Sequence, residues 1–333
     1  MGKSLSPFGP LLIVLTAILW SLDGFLRTSL YTLPPILVSF WEHLLGLGLI
    51  LPFFWRTRHE LKKLTYADWG PVFFIGVIAS SVAVILYTYA LTQINFINFS
   101  IVVLLQQTQP IWAVLIAGLV LKEKITRHFL LLAAVAMAGV YLIVFPDMRP
   151  NLDTGTGTAL AGFLALLAAA SWGSATSFGK LILHKVSFGT LAFLRFSIAA
   201  VFSLLLFATF SAFQTLTGAS DVFGRSHELS QFVSLTPEQM GALAMIVLIT
   251  GAAAMLLYYR GLKHTPARVA TICELAWPAS SLIIGIVFFK NSFTVSQIIG
   301  IVILLGSMLV ISRTQKDSAV PVEGEVVGAI GKK

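Results

Sequence analysis

The sequence predicts an all-α integral membrane protein of ten transmembrane helices, written as two inverted five-helix repeats. Three observations carry that expectation. The 333 residues are 57% apolar and only 11% charged, where a soluble domain carries roughly 25% charged residues, and the mean hydropathy is +0.90. The apolar residues fall in long unbroken runs, each able to cross roughly 30 Å of hydrocarbon as a helix of about 20 residues and lacking the alternation of barrel strands. Finally, the motifs of the first half return in the second.

The runs are read in order. Phe8–Leu30 carries Trp20, Asp23 and Arg27; no small-x-small cleavage site follows it, so it is expected to stay in the mature chain rather than act as a signal peptide. Pro35–Trp55 carries Glu42, Trp69–Leu91 ends near Tyr87 and Tyr89, and Phe96–Leu121 contains Gln106 and Pro110. Phe129–Phe145 closes the first set. Ala159–Leu183 carries Trp172 and Phe188–Phe210 carries Arg195. Pro237–Leu262 starts from Thr236-Pro237-Glu238-Gln239, with Thr at the cap, Pro at the first helical position and Gln three residues on. Ala267–Phe289 contains Cys273, Glu274 and Pro278, and Val295–Ile311 is the last run. Between them, Ser211–Leu235 reads as a long outward loop, and 314–333 as a disordered cytoplasmic tail.

Basic residues fix the expected orientation, because they stay preferentially on the cytoplasmic side. With the N-terminus inside, 16 of the 22 Lys and Arg fall on the cytoplasmic side and four on the other, the rest lying within helices. Both termini are therefore expected inside a bacterial-type plasma membrane. The formal charge of +8 is accounted for by topology and implies no nucleic-acid partner. A single cysteine leaves no disulfide framework, cysteine zinc site or iron–sulfur cluster. The run from Gly173 to Lys180 has the wrong spacing for a phosphate loop and sits in a span, so no ATP-driven pump is expected. Neither cofactor nor metal is expected, and no nucleophile–base constellation suggests an enzyme.

The repetition is specific. ILWSLDGFL in the first helix returns as ASWGSATSFGK in the sixth, aligning Trp20 with Trp172. LLQQTQPIWAVLIAGLVLKEKIT in the fourth returns as ICELAWPASSLIIGIVFFKNSFT in the ninth, aligning Gln106 with Glu274 and Pro110 with Pro278. Glu42 falls opposite Arg195. Units of five helices, an odd number, must enter the membrane in opposite directions, a construction that gives secondary transporters two near-equivalent states. The Trp-Ser/Gly starts, the mid-helix prolines and the LKEKIT that follows resemble the EamA repeat of the drug/metabolite transporter superfamily. The resemblance covers 5–146 and 157–313. It implies a ten-helix transporter with a central cavity, usually exporting amino acids or other small metabolites. The chain departs from the family pattern at Lys122, where glycine is usual, and at Glu42, where arginine is frequent.

Ionisable groups within spans are costly and become functional candidates. At about 1.5 Å of rise per residue, Asp23 and Glu42 lie roughly 10 Å below the outer surface. Arg195 and Glu274 lie at a similar depth from the cytoplasmic side, which makes two tiers: acidic outside, an Arg–Glu couple inside. Asp23 stands four residues from Arg27, so a local ion pair competes with any functional role. Glu42, in an apolar helix, is expected to protonate readily and so to offer coupling to a proton gradient. Glu42, Asp23, Gln106, Arg195, Glu274, Trp20 and Trp172 are the substrate- or ion-binding candidates, with Pro110 and Pro278 as hinges or static kinks. Tyr87, Tyr89, Tyr258 and Tyr259 fit an interfacial belt or a binding wall. The expected function is an alternating-access exporter of small polar metabolites such as amino acids, with proton coupling possible. A cationic drug or amine exporter and a channel or lipid scramblase are the alternatives.

Overall fold

The computed structural model describes residues 8–30, 32–93, 105–145, 147–148, 158–218, 234–289 and 294–314. The described residues fold into helices and turns. Eight helical segments are long and apolar enough to cross a membrane, and two shorter apolar helices, Gln109–Val120 and Val295–Ile311, accompany them. We number the helices α1 (Phe8–Leu26), α2 (Pro35–Thr57), α3 (Tyr66–Ala90), α4 (Gln109–Val120), α5 (Arg127–Val144), α6 (Thr158–Leu183), α7 (Phe188–Thr217), α8 (Pro237–Lys263), α9 (Ala267–Ile284) and α10 (Val295–Thr314).

Helix packing respects the repetition in the sequence. α1 packs on α8 and α9, while α6 packs on α3 and α4. α2 packs on α7, α4 on α9 and α5 on α10. Exchanging the first five helices for the second five maps this set of contacts onto itself. Small residues make the closest approaches possible. A methyl group at Gly9 would come within 3.2 Å of the Gly261 carbonyl, and one at Gly261 within 2.8 Å of the Gly9 carbonyl. Gly139 and Gly300 approach each other in the same way between α5 and α10. In α6, Ser177 Oγ donates to the Ala113 carbonyl of α4 at 2.8 Å.

Several helices are interrupted where an uninterrupted span was expected. α1 breaks after Trp20 instead of running to Leu30, and a short second piece, Asp23–Leu26, follows. Ser21 Oγ donates to the Ile18 carbonyl at 2.5 Å, a local bond that competes with the helical ladder. α9 divides into Ala267–Glu274 and Ala276–Phe289, because Pro278 has no N–H to return to the carbonyl of Glu274. Pro110 likewise sits in the first turn of α4, so both prolines open helical pieces rather than kink the middle of one. α3 widens into a π-helical run over Phe74–Val82, and its counterpart α8 does so over Ile246–Thr250 before Gly251. Such runs release carbonyls from the regular ladder.

Helix ends are tied by charge and hydrogen bonds. The capping box at Thr236 forms as the sequence predicts, with Gln239 N donating to Thr236 Oγ1 at 3.2 Å and Thr236 N donating to Gln239 Oε1 at 2.9 Å. Lys180, set in α6, donates to the Leu262 and Lys263 carbonyls at the C-terminus of α8, both at 2.9 Å. Glu123, after α4, accepts from the Ala267 and Arg268 amides at the N-terminus of α9, at 2.8 and 3.2 Å. Both arrangements match the sign of the helix dipole. α7 continues to Thr217 and ends on Gly218 at φ 70°, so the expected loop from Ser211 begins two turns later. Residues 219–233 of that loop, the first residues of the expected fourth run, and the tail beyond Thr314 lie outside the described residues.

Candidate functional site

The helix breaks converge on one cavity of about 450 Å³, within the range of small-molecule sites. Trp20, Asp23, Glu42, Gln106, Trp172, Arg195 and Glu274, the seven binding candidates of the sequence, all line it, as does Pro110. Pro278 does not, although its neighbour Trp277 does.

Aromatic rings form much of the wall. Trp20 lies 5.2 Å from Tyr258, ring centre to ring centre, and Tyr87 meets Trp172 edge-on at 5.5 Å. Tyr258 and Tyr259 are buried in the protein core, so they are not part of an interfacial belt. Trp172 is fixed from outside the cavity: its Nε1 donates at 2.8 Å to the Ala79 carbonyl, which lies in the π-helical run of α3.

The charged groups form two clusters, joined differently from the expectation. In the first, Arg27 pairs with Asp23 in its own helix and also with Glu42 of α2, Nη2 to Oε2 at 2.8 Å. Asp23 accepts in addition from Thr250 Oγ1 at 2.9 Å. Glu42 is therefore an ion-paired carboxylate, and the isolated acid expected from an apolar helix is corrected. Adjacent His43 turns away to the Ser39 carbonyl at 2.7 Å. The second cluster is not an Arg–Glu couple. Glu274 accepts from Tyr258 Oη at 2.6 Å, from Thr176 Oγ1 at 3.4 Å and from the Gln109 amide. Arg195 instead donates to Tyr259 Oη at 3.2 Å and to the Ala79 carbonyl at 3.5 Å.

Some polar groups on this wall have no protein partner. Gln106 Oε1, Thr271 Oγ1, Ser281 Oγ and Arg27 Nη1 are buried and unpaired, and all four residues line the cavity. Buried polar groups nearly always find a partner, so this concentration marks where a ligand would supply one. Sequence reasoning missed Thr271 and Ser281, which look like ordinary small helix residues. It also missed Gln109, although the run Gln106-Gln107-Thr108-Gln109 carries the signal: three amides before a proline inside an apolar span.

A model of the EamA-like transporter family matches residues 7–145 and again 159–313. The chain belongs to the EamA-like transporter family. This EamA protein is 33% identical to "Riboflavin transporter ImpX" of Fusobacterium nucleatum subsp. nucleatum over 92% of its own length and 97% of that protein. It is 30% identical to a "Riboflavin transporter" of Brucella anthropi, over 42% of this chain and 45% of that protein. One solved crystal structure superposes with a TM-score of 0.69 at 16% identity, over 94% of this chain and 98% of the other; that likeness is one of fold. The EamA protein is thus a multi-pass membrane transporter of a small molecule.

Proposed function

We propose that this transporter is an alternating-access carrier whose substrate is riboflavin or a compound of the same chemistry: a flat heteroaromatic ring with polar edges and a hydroxylated tail. The observation that carries the reading is the pairing of aromatic walls with unpartnered buried polar atoms in one cavity. Rings such as Trp20, Tyr87, Trp172 and Tyr258 offer stacking faces to a planar ring. Gln106, Thr271 and Ser281 offer the hydrogen-bonding groups that its polar edges and hydroxyls require. The 33% identity to a protein named for riboflavin transport points the same way. Riboflavin takes the place of the amino acid expected from the sequence.

Ten spans in two inverted repeats, with both termini cytoplasmic in a bacterial-type plasma membrane, complete the proposal. The doubled family match, the exchange-related packing and the bias of basic residues support it. An inverted repeat supplies two opposite-facing states by swapping the conformations of its halves, and the breaks in α1, α8 and α9 and the start of α4 are where such a swap would bend.

The test is transport by the full chain in lipid vesicles. Riboflavin loaded inside should accelerate entry of labelled riboflavin, saturably and above protein-free vesicles. Vesicles that bind flavin yet show no counterflow would point to a channel; no flavin binding or flux at all would remove the substrate assignment.

A further inference from the structure

We propose that Glu274 is the site at which this carrier takes up and releases a proton as its cavity changes sides. The inference rests on the alternating-access reading above and not on the identity of the substrate.

Asp23, Glu42 and Glu274 are the acids of the cavity lining among the described residues. Arg27 holds both Asp23 and Glu42. Glu274 takes part in none of the ion pairs among the described residues; its partners Tyr258, Thr176 and Gln109 are neutral donors. The charges around it belong to other elements. Arg195 of α7 faces it but gives its guanidinium to Tyr259 Oη and the Ala79 carbonyl. Lys180 of α6 is bound to carbonyls at the end of α8, and Arg268 of α9 pairs with Glu123 at 3.5 Å. On its own helical piece the adjacent titratable group is buried Cys273. Each charge state of Glu274 therefore has its support. The carboxylate faces Arg195, while the acid suits a side chain only 8% exposed that closes the piece Ala267–Glu274, where helix carbonyls gather negative charge.

The hydrogen bonds fit both states as well. Glu274 Oε1 lies 2.6 Å from Tyr258 Oη, which lies 2.8 Å from Thr176 Oγ1, which lies 3.4 Å from the Trp172 carbonyl. With Glu274 ionised, Tyr258 donates to it. With Glu274 protonated, the acid donates to Tyr258, Tyr258 to Thr176, and Thr176 to the Trp172 carbonyl. Turning two hydroxyls keeps every group partnered, so the proton orphans nothing. This reversible chain runs from α9 through α8 to α6 and starts beside the break in α9. The proton comes from water on the side to which the cavity opens, resides on Oε1, and returns to water when the cavity opens to the other side.

The test uses the full chain in lipid vesicles, with the membrane potential held at zero by potassium and valinomycin. A pH step of about one unit should drive labelled riboflavin toward a concentration ratio of about tenfold across the membrane, the limit for one proton per substrate. In Glu274→Gln the ratio should stay at one, whatever rate remains. A ratio of one in the unaltered protein, or a Gln variant that still concentrates riboflavin, would overturn the inference, and counterflow would leave the proposed function standing. Infrared spectra of the full-length protein in nanodiscs need no substrate and decide the matter if riboflavin does not move. The carbonyl band of a protonated carboxylic acid should fade as pH rises and be missing from Glu274→Gln; the same band in both proteins would overturn the inference. If Glu274→Gln does not fold, Tyr258→Phe, which cuts the hydroxyl chain, should shift the pH at which that band fades, and an unshifted band would be equally fatal.

Discussion

Arg27 Nη2 donates to Glu42 Oε2 at 2.8 Å, fastening the end of α1 to α2 with both side chains almost sealed from solvent, 12% and 11% exposed. The same guanidinium holds Asp23, and Asp23 reaches on to Thr250 beside the break in α8. One arginine thus ties three helices at the rim of the cavity.

Removing that arginine should be costly. Arg27→Gln strands a buried carboxylate, and breaking such a pair typically costs about 3–5 kcal/mol. The triple change Arg27→Met, Glu42→Met and Asp23→Asn should recover most of the loss, because no carboxylate is then left without its cation. Thermal unfolding of the detergent-solubilised protein measures both. A single variant as stable as its parent would show the pair to be dispensable.

Lys122 occupies left-handed backbone at φ 53°, a conformation that favours glycine. The turn brings the Glu123 amide back to the Ala117 carbonyl at 3.2 Å and aims the Glu123 carboxylate at the start of α9. Lys122→Gly should stabilise the fold by about 1 kcal/mol, since a Cβ in this conformation costs roughly that much. Glu123→Ala should lose about 1 kcal/mol or more through the missing cap. Opposite shifts in unfolding temperature are expected, and a destabilising Lys122→Gly would refute the strain.

His184, just past α6, is held to a pKa of about 4 by burial first, with Lys180 and Lys263 adding to the effect. His264 is lowered by burial and the same lysines, with Arg260 also contributing. The unfolded chain takes up these protons near pH 6.5, whereas the folded chain resists. Stability is therefore full above about pH 6.5 and declines as pH falls toward 4. Both histidines keep an exposed face, so about 1 kcal/mol is a fair scale for His184 after solvent screening. His184→Gln should flatten the acid limb of the stability curve; an unchanged limb would assign it to other groups.

Much of this architecture was legible because bilayer physics leaves few options. An apolar run must be helical, and Trp20, Trp172, Gln106 and Glu274 stand out by recurring at repeat-related places. All four line the cavity. The interruptions were harder to read. Hydropathy does not register a break after Trp20 or a widened turn at Phe74–Val82, since both keep their apolar side chains. The pairing within each tier was illegible for another reason. Which partner Arg27 or Arg195 chooses depends on how far a long side chain reaches across a helix interface, and Arg195 finds Tyr259 where charge alone suggested Glu274. Glu274 meets Gln109, one turn past the Gln106 that the repeat aligns with it, a contact that the alignment does not address.

Gly139 and Gly300 meet between α5 and α10 at backbone distance: a Cβ on the first would fall 2.8 Å from the carbonyl of the second, and the reverse approach is 2.6 Å. Most core contacts can drift over generations, one side chain growing as its neighbour shrinks. Here neither partner has anything to give up. A methyl gained on either helix strikes main chain, and no substitution opposite can make room for it. The seam is an evolutionary dead lock, expected to change only if the two helices move apart altogether.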